Sequence, residues 1–301
     1  MEPLVDVRVL EEVTVRTLLG IRFWDPVLDE QVRDDLVVRA QRVDGAGPER
    51  TAVRTASGLW AFHGLPGLRS LERDEDPEPL LSPPEPVSVR FLVGVEDLRR
   101  RFLPVAFTVD LPLPYRGPWN PGLEASPQSS VPARCYLFSS PNRPAGPGLA
   151  AVRAQLADAD QSGPDGEPLP AAHALLELEL EGGERWYGLA DRRGSATVLL
   201  PWPTVTGTIA TSPPNGTFPP LAEQRWRLTV RVRWSPGLPV QPIAGGAPDL
   251  RAIRQQEPAR LSPDAGPTVP ELEAELAYGR ELVLRTSGRP ELLIEAAGSP
   301  P

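Results

Sequence analysis

The chain has 301 residues, 31 basic against 40 acidic, a formal net charge of −9 and 39 prolines. That charge argues against nucleic acid or an anionic membrane as partner, and no stretch approaches the roughly 20 apolar residues that a membrane-spanning helix needs. Each proline removes a backbone N–H and clashes with the preceding turn, which leaves little room for long helices, so the length points to two modest domains built mainly from strands.

All 31 basic residues are arginine. A GC-rich genome accounts for that bias; the planar guanidinium also suits protein interfaces. The opening Met1-Glu2-Pro3-Leu4-Val5-Asp6 has neither the basic flank nor the apolar core of a signal peptide, so a cytoplasmic protein is expected. Cys135 is the single cysteine, in keeping with that compartment because no intrachain disulfide can form.

In chain order, Val5 to Leu10 alternates apolar and charged residues as a half-buried strand does, and Val13 to Leu19 continues in that style. Gly20 to Asp25 reads as a strand ended by Pro26, and Leu36 to Val43 and Gly58 to Leu65 as two more. An acidic, Pro-rich loop from Glu72 to Pro86 precedes strands at Val87 to Val95 and Phe102 to Leu111. These give roughly seven strands at sandwich spacing in residues 1–112. Residues 113–147 read as an ordered Pro-rich linker with one short strand at Cys135 to Phe138, and they carry Tyr115 and Trp119, which a flexible spacer rarely needs.

A second sandwich is expected over 148–236. Its strands are Ala150 to Leu156, Ala171 to Leu180, Arg185 to Ala190, Ser195 to Leu200 and Gln224 to Trp234, with polar loops at Asp158 to Pro170 and Pro201 to Pro220. The last strand puts Trp226, Leu228, Val230, Val232 and Trp234 on one face and Arg225, Arg227, Thr229, Arg231 and Arg233 on the other. Such an arginine row is either a solvated face or one that docks on an acidic partner. Residues 237–301 read as a tail with a short helix over Asp249 to Gln256, Leu250 and Ile253 on one side, and a closing hairpin around Ser287-Gly288. Two turns look alike: Thr55-Ala56-Ser57-Gly58-Leu59 and Asp191-Arg192-Arg193-Gly194-Ser195, each read as a hairpin turn before a strand ending in Leu-Pro.

Few residues offer chemistry. His63 and His173 are both placed in strands, and Cys135 in an apolar stretch, where a buried inert thiol is expected. One Cys and two distant His cannot make a zinc site. The acidic groups Glu72, Asp74, Glu75, Asp76 and Asp158, Asp160, Asp165, Glu167 lack the Gly and spacing of a calcium loop. No phosphate-binding glycine motif occurs. Catalytic, metal and cofactor residues are therefore expected to be none. Three functions stay open: a structural docking protein, a carbohydrate- or surface-binding module if two or three tryptophans are exposed together, and a two-carboxylate glycosidase.

Two resemblances refine this. The Ala171 to Leu178 strand, Gly188-Leu189-Ala190-Asp191-Arg192-Arg193-Gly194, and Val198-Leu199-Leu200-Pro201 resemble the carboxypeptidase-regulatory, or transthyretin-like, sandwich. Ser57 to Arg69, Gly94 to Asp97, Arg101 to Pro104, Leu137 to Pro144 and Pro248 to Ile253 are similar to a bacterial family encoded beside sheath, tube and terminator genes of phage tail-like contractile injection systems. That resemblance implies a multi-copy structural part of such a particle, at the cap or its adaptor, bound to sheath, tube or terminator subunits. The expected fold is all-β: two tandem Ig/transthyretin-like sandwiches, a Pro-rich linker and a short C-terminal tail. Arg225, Arg227, Arg231, Arg233, Tyr115 and Trp119 are the expected interface residues.

Overall fold

The computed structural model describes residues 17–72, 88–112, 134–203, 221–264 and 266–296. The expected strands Val5 to Leu10 and most of Val13 to Leu19, with Tyr115 and Trp119, lie outside the described residues. The fold is all-β, with several sheets and, among the described residues, two short α-helices.

The first part contains β1 (Gly20–Ile21), β2 (Phe23–Asp25), β3 (Glu30–Val32), β4 (Leu36–Arg42), β5 (Arg50–Thr51), β6 (Val53–Arg54), β7 (Trp60–Ala61), helix α1 (Arg69–Glu72), β8 (Val89–Asp97) and β9 (Val105–Leu111). A four-stranded sheet of order β5-β4-β8-β9 and a three-stranded sheet β1-β7-β6 enclose one core with Ile21, Val38, Phe62, Phe91 and Phe107 fully buried. The alternation legible in Leu36 to Arg42 puts Leu36, Val38 and Ala40 inward. β10 (Cys135–Tyr136) falls in the expected linker yet pairs parallel with β2 at the edge of a β10-β2-β3 sheet, so Cys135, Leu137 and Phe138 complete this core.

The second part contains β11 (Leu149–Ser162), β12 (Pro168–Pro170), β13 (Leu175–Leu180), β14 (Arg185–Leu189), β15 (Ser195–Pro201) and β16 (Arg225–Arg233). They are followed by β17 (Val240–Gln241), β18 (Ala247–Pro248), helix α2 (Leu250–Arg254), β19 (Arg260–Ser262), β20 (Leu272–Ala277), β21 (Leu282–Leu284) and β22 (Leu292–Glu295). One sheet centres on β11, with β15 and β12 along it on antiparallel pairings, β21 and β22 on parallel ones, and β19 beyond β22. The other has the order β14-β13-β16-β20. Leu156, Leu176, Val198, Leu228, Val230, Leu261, Leu276 and Leu292 meet between them in a second core.

Four expectations change. Residues 158–170 are not a loop: β11 runs on to Ser162 and returns as β12. The segment after Pro236 is no free tail, since β19, β20, β21 and β22 belong to both sheets of the second core. β21 and β22 do not pair with each other; both run parallel to β11, opposite Val152 to Ala154 and Leu156 to Asp158. The turn at Asp191 carries the chain from one sheet (β14) to the other (β15), so it is no hairpin, whereas the turn at Thr55 does join the paired strands β6 and β7.

The two turns are nonetheless one structure. In each, the first residue's N–H donates to the carbonyl four residues on, and the glycine N–H donates back to the first carbonyl: Thr55 to Leu59 at 2.8 Å with Gly58 at 3.0 Å, Asp191 to Ser195 at 2.9 Å with Gly194 at 3.0 Å. Thr55 Oγ1 and Asp191 Oδ1 each accept the fifth residue's N–H at 3.0 Å. Gly58 and Gly194 sit at φ +78° and +80°, a region open to glycine.

Candidate interaction face

Three places could carry function: the outward face of the β14-β13-β16-β20 sheet, an aromatic cluster at the edge of the second core, and the joint between the two cores.

On the sheet face, strand alternation does what the sequence predicts. Leu228, Val230, Val232 and Trp234 are buried, and Arg225 and Arg227 are exposed with Arg231 and Arg233 half-exposed. The neighbours of this row were not legible. The register places Glu177 beside Arg231, Glu179 beside Thr229 and Arg185, and Glu275 beside Arg227. Arg231 donates to Glu179 at 2.5 Å and to Glu271 at 3.0 Å, which holds the Glu179 carboxyl below its usual range. Arg225 reaches Glu275 at 3.3 Å and Arg227 reaches Glu181 at 3.9 Å.

Glu177 is the buried member, its side chain only 4% exposed. Arg185, Arg231 and Arg233 surround it at 3.4, 3.9 and 4.0 Å, because a buried carboxylate is tolerated only when paired. A cleft of about 220 Å3 lies here, between these arginines and Pro258 and Pro270. The arginine row is thus neutralised by carboxylates of its own sheet, which removes the net positive field that docking on an acidic partner would use.

Trp202, after β15, meets Trp226 of β16 and Tyr278, after β20, with ring centroids 4.9–6.4 Å apart and planes tilted by 38–56°. All three rings are half-exposed.

The joint was not foreseen. Arg143 donates to both oxygens of Asp25, at 3.2 and 2.5 Å, and to Ser139 Oγ at 3.2 Å. Its guanidinium lies 4.9 Å from the Phe102 ring centroid. Arg143 and Asp25 side chains are 10% and 7% exposed. From the second part, Arg153 on β11 donates to the Pro141 carbonyl, to Thr197 Oγ1 at 2.9 Å and to the Arg143 carbonyl at 3.4 Å. Val27, just past Asp25, packs on Ala151 and Leu199.

A second tie is α2. Asp249 caps it by accepting from Arg251 and Ala252 N–H, and Leu250 and Ile253 enter the first core as the sequence spacing suggested. Buried Gln256 then donates to the carbonyls of His173 and Ile253 at 3.0 and 3.1 Å and accepts from Ser235 N–H at 3.0 Å. Ile243, Ala244 and Ala247 cover Leu92 and Ala106 on the outer face of β8 and β9. Leu175 and Leu189 of the second sheet join the first core.

Three sequence candidates remain. Burial pushes the Cys135 thiol up to about 12. His63 is exposed outside any strand. His173, also outside the strands, holds φ +61° and is buried, which lowers its pKa, with Arg192 adding to the effect. Among the described residues no three His, Cys, Asp or Glu side chains could together hold a metal ion, and no helix is long and apolar enough to cross a membrane. No family model matches the chain, and no curated protein matches its sequence.

Proposed function

We propose that this chain is a non-enzymatic, cytoplasmic structural component of a phage tail-like contractile injection particle, placed at the cap or its adaptor and holding sheath, tube or terminator subunits. The observation that carries the reading is the joint. Two β cores are joined by Arg153 and Thr197 on the Pro141 carbonyl and by helix α2, while the buried Arg143–Asp25 pair fixes to the first core the segment that Arg153 grips, an arrangement suited to a part that must bear load without hinging, since packed interiors transmit strain.

Three of the five segments that resemble the particle-associated family fall at such points. Leu137 to Pro144 contains Ser139, Pro141 and Arg143 of the joint, and Pro248 to Ile253 is the cap and body of α2. Gly94 lies under Ile243. Asp97, with its side chain 1% exposed, accepts from the Arg101 side chain and from the backbone N–H of Arg99, Arg101 and Phe102. The test is a mass-spectrometric inventory of contractile particles purified from the native host. The chain is expected to co-purify in fixed ratio to sheath; intact particles without it refute the proposal.

A second reading, a carbohydrate-binding module, is favoured by the Trp202, Trp226 and Tyr278 rings, because half-exposed aromatics supply sugar-stacking faces. It predicts glycan-array binding that Trp226→Ala abolishes; no signal from the intact chain removes it.

A further inference from the structure

A strand at the rim of a sheet turns alternate backbone groups away from its one neighbour, and natural sheets cover, shorten or break such rims. Most rims of this fold are treated that way among the described residues. A Cβ at Gly188 of β14 would lie 2.7 Å from the Thr197 carbonyl of β15, so these two rims close on each other. Asp249 bridges to Ala106 of β9, β12 begins and ends in proline, and β5, β6 and β10 are two residues long. β20 is different. It runs for six residues without proline or glycine and without a shift of register against β16.

Just past β20, Tyr278 N–H donates to the Gln224 carbonyl at 3.1 Å. Antiparallel ladders alternate, so Leu272, Ala274 and Leu276 exchange hydrogen bonds with β16, while Glu273 and Glu275 turn their N–H and C=O groups to the open side. Among the described residues nothing pairs with those groups, and both glutamates are exposed. Leu272 and Ala274, with Leu282 of β21, are only partly covered where they pack on the second core, which leaves an apolar strip along this rim. On the outward side the columns alternate in sign: Glu177 and Glu179 on β13, the arginine row on β16, Glu273 and Glu275 on β20. Arg225 holds Glu275 at 3.3 Å. Glu273 has no ion-pair partner among the described residues.

We propose that the open rim of β20 is a docking edge for an extended basic segment of a partner protein, which adds a strand to the β14-β13-β16-β20 sheet. Main-chain hydrogen bonds to Glu273 and Glu275 supply the affinity, and alternate side chains supply the choice of partner. On its outward side the added strand needs arginine or lysine beside Glu273 and Glu275, because opposite charges on neighbouring strands attract and like charges repel. On its inner side it needs apolar residues, which finish the cover over Leu272, Ala274 and Leu282. A second copy does not fit through the same rim, since β20 against β20 sets one glutamate column beside another. The two glutamates thus keep copies apart and admit a strand of the opposite sign. This inference does not rest on the particle reading, because the rim belongs to the isolated chain.

The probe is a capped synthetic peptide of alternating valine and arginine, about nine residues long so that it overreaches β20 at both ends. Fluorescence anisotropy at about 0.15 M salt should show saturable binding to the full chain, and amide hydrogen exchange should slow over residues 272–277. A peptide of the same composition with its valines and arginines in two blocks should bind at least about tenfold more weakly, which separates strand pairing from bulk attraction to a chain of charge −9. Glu273→Arg, which breaks no ion pair among the described residues, should weaken binding about tenfold. Glu273→Pro removes one outward N–H and leaves the bonds to β16 in place, as edge prolines do, and should weaken binding at least as much, with an unchanged melting temperature certifying the fold. Glu273→Arg decides alone if the proline variant melts early. No saturable binding up to about 1 mM, equal binding of the two peptides, full binding by Glu273→Arg, or protection that falls outside β20 overturns the proposal. So does self-association of the intact chain that Glu273→Pro abolishes, which would put a second copy on this rim.

Discussion

Replacing Arg143 with alanine strips the joint of its centre. The change removes two hydrogen bonds to Asp25, one to Ser139 and the stacking over Phe102. It leaves the Asp25 carboxylate, 7% exposed, with the Val27 N–H at 2.9 Å as its one remaining hydrogen bond among the described residues. Breaking a buried pair by deleting one partner costs about 3–5 kcal/mol, because the remaining charge has lost both water and counter-ion. Against a total stability of about 5–15 kcal/mol that is a large fraction, and at about 2–4 °C per kcal/mol the melting temperature should fall by on the order of 10 °C. Urea denaturation followed by tryptophan fluorescence and circular dichroism measures it, with the slope checked for a single transition. Removing both charges, as Asp25→Asn with Arg143→Met, should recover part of the loss, since no uncompensated buried charge is left. A cost for Arg143→Ala below about 1 kcal/mol, the worth of an exposed pair, would refute the claim that this pair anchors to the first core the segment on which Arg153 of the second part rests.

Gly94→Val should cost about 1–3 kcal/mol by overpacking, because a Cβ there would lie 2.6–2.7 Å from Ile243; limited proteolysis within residues 238–248 should speed up in parallel. Gly194→Ala should cost about 1–3 kcal/mol through strain at positive φ and a Cβ driven against the Leu156 carbonyl, read as a shift in urea midpoint. With its thiol pushed up to about 12, Cys135 should resist alkylation at pH 8 until urea unfolds the chain. The lowered pKa of His173 means that the native state binds fewer protons there than the unfolded one. Its contribution is fully present above the ordinary histidine pKa and is lost as pH falls from that value through the lowered one. His173→Asn, which accepts the positive φ, should flatten stability measured by denaturation between pH 7 and 5.

What the sequence made legible was local. Alternation in Leu36 to Arg42 and Arg225 to Arg233 fixed which side chains face inward, and the glycine at the fourth place of two five-residue turns marked one hydrogen-bonding pattern. Leu250 and Ile253, three apart, declared the buried side of α2. Pairing between distant strands left no comparable trace. Nothing in Leu282 to Leu284 says that it lies beside Val152 rather than beside β22, because parallel and antiparallel neighbours impose the same period of two. The identical turn closes a hairpin at Thr55 and crosses between sheets at Asp191, a choice made by the strands that follow and not by the turn. The arginine row was visible, but its glutamates come from β13 and β20, some 50 residues before and 40 after it, so its electrostatic sign could not be read. Arg143 carries no periodic signal at all: it stands between Asn142 and Pro144, and its partner Asp25 is 118 positions away.

Rigidity of the paired cores can be read from the spacing of two spin labels, one at exposed Val43 beside the first core and one at exposed Val283 on β21, with buried Cys135 inert to the labelling reagent. Pulsed dipolar spectroscopy should return a single narrow distance distribution in the intact chain and a broader one in Arg143→Ala. A broad or two-peaked distribution in the intact chain would mean that the halves swivel, and a brace that swivels cannot bear the load assigned to it.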